Sequence, residues 1–411
     1  MQIIFTKDVW LLFATRFIRL FAYGSLSVVL VFYLVGIGLS EQQTGVLVTL
    51  TLVGDVLVSL FLTTRADRIG RRRVLLAGAA LMAGAGLVFA STSTFMLLLI
   101  AGTLGVISPS GNEVGPFLPV EQAALSQVIP SRTRTEIFAW YTLAGALATA
   151  LGALVAGAVT GATYRETLAP PAGYGYRNVI LLYAALGGVL AALFSRLSAA
   201  TEVTPSAGTP TLSGLHTSKG VVSKLSALFA LDSFAGGFVM QSFAAYWFYL
   251  RWGVKPEKLG AIFFGANVLA GLSALVASRM AARFGLIRTM VVTHLPSNVL
   301  LILVPLMPTL PLAVIMLLLR FSISQMDVPT RQAYTMAVVQ PDERSAAAGI
   351  TGVARTTGAS ISPFLVGLMF ARPSLINLPF ILGGTLKIVY DLLVWRIFSR
   401  MPLPEEQSPV S

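Results

Sequence analysis

The sequence predicts an all-α polytopic membrane protein, with twelve transmembrane helices arranged as two pseudo-symmetric six-helix bundles. Three observations predict it. Of 411 residues, 55% are hydrophobic and 11% charged, with a mean hydropathy of +0.80, whereas a soluble domain carries roughly 25% charged residues. Apolar runs bounded by turn signals recur along the whole chain, each long enough for a crossing of about 20 residues. Residues 197–220, rich in Ser, Thr, Gly and Pro, have a flexible linker composition and divide those runs into two sets of six.

The first set covers 9–37, 44–63, 74–90, 95–128, 137–159 and 179–195. The second covers 222–250, 259–278, 290–306, 311–339, 347–370 and 378–397. They define an N-terminal bundle (1–196), a cytoplasmic linker (197–221), a C-terminal bundle (222–398) and a short cytoplasmic tail (399–411). Arg16 and Arg19 in the first run argue for a retained span rather than a cleaved signal. With the N-terminus inside, the inner loops hold Arg65, Arg68, Arg71, Arg72, Arg73, Arg132, Arg134, Lys219, Lys224, Arg279, Arg283, Arg288 and Arg344. The outer loops hold only Arg165, Arg177, Arg251, Lys255, Lys258 and Arg372. This bias places both termini and the linker in the cytoplasm. It also accounts for the net charge of +12 without nucleic acid.

Cysteine is absent, and the two histidines, His216 and His294, lie far apart. Disulfides, thiolate metal sites and a His-based triad are therefore not expected. No Gly-x-x-x-x-Gly-Lys-Ser/Thr loop is present, so no nucleotide, metal or other cofactor is expected.

The two halves repeat weakly. A shift of 216 superposes Leu12-Phe13-Ala14 on Leu228-Phe229-Ala230 and Phe32-Tyr33-Leu34 on Phe248-Tyr249-Leu250. A shift of 210 aligns Pro119 with Pro329, Gln122 with Gln332, Arg134 with Arg344 and Gly157 with Gly367. Duplicated halves of one topology form a transporter architecture with its substrate site at the midplane between them.

Between the second and third runs stands Arg65-Ala66-Asp67-Arg68-Ile69-Gly70-Arg71-Arg72-Arg73. Gly70 permits a tight reversal, the arginines hold the loop inside, and Asp67 can pair with arginine or a helix N-terminus. The segment resembles the loop 2–3 motif of the major facilitator superfamily, G-x-x-x-D-R-x-G-R-[KR], with Thr63 in place of the first glycine. A decayed copy runs from Arg279 to Arg288, with Ala282 replacing the acid. The resemblance implies that Asp67, Arg68, Gly70, Arg71 and Arg72 gate conformational exchange. The fifth run reads Gly152-Ala153-Leu154-Val155-Ala156-Gly157, which is similar to the G-P-x-x-G-G of antiporters with the proline and one glycine replaced by alanine. Small residues there keep helices close. The implied family member is drug/proton-antiporter-like, with a degraded antiporter motif.

Six basic residues fall at bilayer depth, away from the ends of the runs: Arg16, Arg19, Arg320, Arg331, Arg355 and Lys387. Six acidic ones join them: Asp55, Glu113, Glu121, Asp232, Asp327 and Asp391. Each costs about 2.5–3.5 kcal/mol at a helix centre, so they should pair or line a wet cavity. The repeat places Arg16 on Asp232 and Glu121 on Arg331, which suggests an Arg16–Asp232 pair. Such a pair either breaks and remakes as the halves rock or serves insertion alone. Lys387 and Asp391, four apart, are expected to pair along their helix. Asp55 lies about 18 Å up a helix from Asp67, with no base three or four positions away. It is either a proton carrier or the partner of Arg19 or another arginine.

Residues 108–122 hold Pro109, Pro116, Pro119, Gly111, Gly115, Asn112, Glu113 and Glu121, a composition unsuited to a regular lipid-facing helix. The stretch is either broken backbone lining a cavity or a misplaced surface loop. The corresponding stretch, Arg320 to Arg331 with Gln325, Asp327 and Pro329, is also polar. His294 is expected at the inner interface, and Tyr246, Trp247, Phe248 and Tyr249 in an outer aromatic belt.

The leading expectation is a secondary active transporter of a small molecule, working by alternating access in the cell membrane, coupled to protons and acting in efflux. A monomer is expected. Alternatives are an importer or uniporter on the same fold, a transport-dead receptor, or a membrane-embedded enzyme built on an Asp dyad.

Overall fold

Inside a bilayer every backbone N–H and C=O must find a partner within the protein, which leaves helices as the form for apolar spans. The computed structural model describes residues 6–130, 134–166, 174–202, 217–340 and 343–399. Among them lie fifteen α-helices. The first seven are α1 (Lys7–Gly36), α2 (Glu41–Ile69), α3 (Arg71–Ser91), α4 (Phe95–Leu104), α5 (Phe117–Val128), α6 (Arg134–Glu166) and α7 (Tyr174–Phe194). The next four are α8 (Lys219–Gly237), α9 (Gln241–Trp252), α10 (Pro256–Phe284) and α11 (Leu286–Leu303). The last four are α12 (Leu310–Ser324), α13 (Asp327–Ala337), α14 (Arg344–Phe370) and α15 (Leu378–Phe398). Eleven stretches of helix among the described residues are long and apolar enough to cross a membrane. The remaining crossing is the broken pair α4–α5, within the run 95–128.

The helix starts are written in the sequence. Thr6 caps α1 by accepting from the Val9 amide. Ser40 and Gln43 cap α2 reciprocally, at 3.1 and 3.0 Å, satisfying two orphan donors. Gly70, at φ +104°, turns α2 into α3, and Gly285, at φ +84°, turns α10 into α11. These are the two copies of the loop motif, and each places glycine where an L side chain is disfavoured.

The chain forms two compact units, Met1–Ser206 with Met240–Asn267, and Ala207–Val239 with Val268–Ser411. In the first, α1 packs on α6 so closely that a Cβ at Gly24 would stand 2.1 Å from the Thr149 carbonyl oxygen. One at Gly152 would stand 2.0 Å from that of Phe21. The small residues of the fifth span therefore do what their sequence suggests. Tyr23, Met82, Phe89, Phe117, Tyr183 and Phe194 fill the core. In the second unit α8 packs on α14, with Gly358 against Ala230, and α11 against α15. Leu57, Met96, Leu97, Ile100 and Leu104 are exposed, the apolar exterior that suits a lipid solvent.

Candidate functional site

Span four is broken, and the break lies in the protein interior. Between α4 and α5 the chain runs through Gly111 (φ +73°) and Gly115 (φ +78°), with Val106, Ile107 and Ser108 buried. The freed backbone groups are satisfied by side chains. Tyr183 donates to the Val106 carbonyl, Tyr23 to that of Val114 at 3.2 Å and Ser108 to that of Asn112 at 2.7 Å. The Gly115 amide donates to Asp55 Oδ1 at 2.6 Å. Irregular backbone survives at membrane depth under these conditions, and the surface-loop alternative does not hold. The Asn112 side chain itself is exposed.

Around this break the first unit gathers a charge cluster. Arg19, fully buried on α1, grips Glu121 of α5 with two bonds, at 2.6 and 2.8 Å. Thr15 (2.9 Å) and Tyr141 also donate to Glu121. Arg16 reaches Glu113 at 2.5 Å, and Arg19 joins it at 3.2 Å. Arg16 lies over the Tyr141 ring, 4.4 Å from its centroid. Asp55, 5% exposed, accepts from Gly115 and from Ser59 at 3.3 Å. It has no ion pair with any described residue, so the pairing with Arg19 is not formed.

The second unit builds its own network. Asp232 of α8 accepts from Arg331 at 2.9 Å and from Lys387 at 2.5 Å. Arg331 also meets Asp327 at 3.2 Å, one turn earlier on α13. Asp391 is held by His294 Nδ1 at 2.7 Å and by Asn298 at 2.9 Å, while His294 Nε2 stands 4.0 Å from Asp232. Arg320 lies over the Phe321 ring. Neither it nor Arg355 has a hydrogen bond or ion pair with a described residue, and the Nε atom of each is buried and unsatisfied. Gln325 ends α12, its amide donating to Ser273.

At the loop motif, Glu202 accepts from the backbone N–H groups of Arg71 and Arg72, at 2.7 and 3.0 Å, and so caps α3. The Arg71 side chain is buried and donates to the Thr201 carbonyl, while Arg68 and Arg72 are exposed. The Asp67 and Arg134 side chains, Arg132, His216 and most of the linker lie outside the described residues.

The Major Facilitator Superfamily family model matches residues 12–319. The chain belongs to the major facilitator superfamily. An uncharacterized membrane protein of Saccharomyces cerevisiae, YJR124C, is 32% identical over 423 residues, covering 96% of this chain and 94% of that protein. The quinolone resistance protein NorA of Staphylococcus aureus is 25% identical over 134 residues, 33% of each chain. The crystal structure of the nucleoside transporter NupG shares the fold, with a TM-score of 0.73 at 14% identity, over 96% of this chain and 99% of that one. The chain is thus an integral membrane transporter of the facilitator type, and not an enzyme.

Several expectations about this facilitator need correction. Arg16 and Asp232 are each satisfied within their own unit, by Glu113 and by Arg331 with Lys387. A pair between them is therefore not needed. Lys387 and Asp391 do not pair along α15: Lys387 turns to α8 and Asp391 to α11. His294 is not interfacial but 3% exposed within the second network. Tyr246, Trp247 and Phe248 are buried rather than belted in lipid, and Phe32 meets Tyr246 edge-on at 5.4 Å. Sequence reasoning gave no role in the clusters to Tyr141, His294, Asn298 or Glu202. His294 and Asn298 carried a usable signal, two polar residues one turn apart on an apolar helix.

Proposed function

We propose that this facilitator is a proton-coupled exporter of a small molecule, with Asp55 as the group that takes up and releases the coupling proton. The carrying observation is the isolation of Asp55. Every other carboxylate of the two clusters meets Arg, Lys or His, whereas Asp55 is buried with, among the described residues, only the Gly115 amide and the Ser59 hydroxyl as donors. A buried ionisable group in a membrane protein is a functional candidate by default, and one free of a fixed counter-charge can change its charge without breaking an ion pair. Glu113, Glu121, Asn112, Arg16 and Arg19 frame the same break in the backbone and are assigned to the substrate and proton path. In the second unit Asp232, Arg320, Gln325, Asp327, Arg331 and Arg355 are assigned to that path as well. The likeness to a quinolone resistance protein over a third of the chain supports export.

In this reading the bundles 1–196 and 222–398 alternate access, the loop motif Asp67, Arg68, Gly70, Arg71 and Arg72 controls the exchange, and the monomer sits in the cell membrane with both termini cytoplasmic. The test uses vesicles reconstituted with the whole protein. Asp55→Asn keeps the acceptor for Gly115 and should abolish proton-driven accumulation while sparing counterflow without a gradient. Full gradient-driven transport by Asp55→Asn would remove Asp55 from the coupling role. Asp67→Lys should stop flux in both assays at equal expression.

A further inference from the structure

Among the described residues, the interior cluster of the second unit contains more positive charge than it neutralises. Arg320, Arg331, Arg355 and Lys387 face three carboxylates, Asp232, Asp327 and Asp391, and all three are engaged. Asp232 holds Arg331 and Lys387, Asp327 holds Arg331, and Asp391 holds His294 and Asn298. Arg320 and Arg355 are left without an anion. Arg320 stands on α12, which leads into α13 with its Asp327 and Arg331, and α14 with Arg355 packs on α13, so both border one cluster. Their Nε atoms are closed off from solvent and have no acceptor. α15, which touches α14, carries the buried Tyr390, whose hydroxyl also has no acceptor among the described residues.

Unpaired guanidinium groups in a membrane interior require a counter-charge. No carboxylate of the second unit's cluster is spare, so a ligand is the source of that charge. Arginine offers a planar fork that matches a carboxylate or phosphate with two parallel bonds, and a buried hydroxyl nearby adds a further donor. We propose that Arg320 and Arg355 bind the acidic group of an anionic small molecule, a carboxylate or a phosphate monoester, and that this anion is the transported substrate. The proposal rests on the reading of the chain as a small-molecule transporter. It goes further by fixing the sign of the substrate and the residues that recognise it. The first unit's cluster cannot supply this site, because its two arginines, Arg16 and Arg19, are already taken by Glu113 and Glu121.

The experiment measures binding to the purified full chain in detergent, with no gradient, so that its result is independent of proton coupling. Two matched pairs serve as probes at constant ionic strength: glycerol 3-phosphate against glycerol, and benzoate against benzyl alcohol. At least one anion should raise the unfolding temperature while its neutral partner does not, and the responding pair separates phosphate from carboxylate. Arg320→Gln and Arg355→Gln should each weaken that anion by about tenfold or more, as expected on losing a charge-assisted bidentate contact. Where a glutamine variant does not fold, the lysine variant keeps the charge and loses the fork. It should still weaken the anion measurably.

The proposal is overturned if no anion stabilises the protein, if neutral partners stabilise it equally, or if folded variants bind the anion as wild type does. Loss of anion binding here with proton dependence intact at Asp55 would leave the coupling reading standing. Anion binding that needs Arg320 and Arg355, in a protein indifferent to a proton gradient, would leave this site standing and remove the coupling.

Discussion

Where α1 of the first unit carries Arg16, with Arg19 one turn on, the repeat places Asp232 on α8. Where α5 carries Glu121, the repeat places Arg331 on α13. In the first unit the base lies on the opening helix and the acid on the broken span, joined at 2.6 Å. In the second the acid lies on the opening helix and the base on the broken span, joined at 2.9 Å. The architecture of the pair is kept and its polarity reversed. The remainders differ as well. Two arginines against Asp55, Glu113 and Glu121 leave the first unit one carboxylate in excess, while four bases against three carboxylates leave the second unit a base in excess. On the reading proposed above, the difference separates two tasks, a site that handles a proton and a site that attracts an anion.

The largest expected effect comes from breaking the first pair. Glu121→Ala would leave Arg19 buried with only Glu113 at 3.2 Å, and removing one partner of a buried pair costs about 3–5 kcal/mol. A large fall in the unfolding temperature in detergent is expected. If polarity is a free choice at this position, as the second unit implies, Arg19→Glu with Glu121→Arg should recover part of the loss. A double variant as unstable as the worse single one would break the comparison, because it would make the first unit's polarity obligatory.

The next effect sharpens the second network. Lys387 touches Asp232 and not Asp391, so the double-mutant cycle of Lys387→Met with Asp232→Asn should show coupling of about 1–3 kcal/mol. The cycle of Lys387→Met with Asp391→Asn should show less, since the two connect only through Asp232 and His294. Equal couplings would mean that the i, i+4 pair forms after all.

The fold was legible because hydropathy, loop arginines and the linker all report on the bilayer as solvent, a constraint acting on every span alike. The broken fourth span was legible too, since three prolines, two glycines and two glutamates cannot be a lipid-facing helix. Partner choice was not legible. The 216 shift aligns Arg16 with Asp232, but equivalence under a repeat says only that two residues would occupy the same place in their own halves. It does not say that they meet. Lys387 and Asp391 show the same limit at short range: the spacing of four permits contact, yet each side chain finds a shorter bond on a neighbouring helix. Sequence spacing lists the contacts a helix allows, and packing decides among them.

The smallest expected effect concerns a carboxylate at a helix start in each unit. Glu202 accepts from the amides of Arg71 and Arg72 at the beginning of α3. Glu343, fully buried, accepts from those of Thr217 and Ser218 just ahead of α8, at 2.8 and 2.9 Å. Both place negative charge at the positive end of a helix dipole. A glutamine keeps one acceptor oxygen and loses the charge, so solvent screening sets the size of the loss. Glu202 is partly exposed, and Glu202→Gln should cost about 0.3–1 kcal/mol, decreasing as salt is raised. Glu343→Gln should cost more, about 1–3 kcal/mol with little salt dependence, because the second amide would be left buried without an acceptor. Thermal unfolding of both variants at low and high salt decides the matter. Equal losses with equal salt dependence would show that burial does not distinguish the two caps.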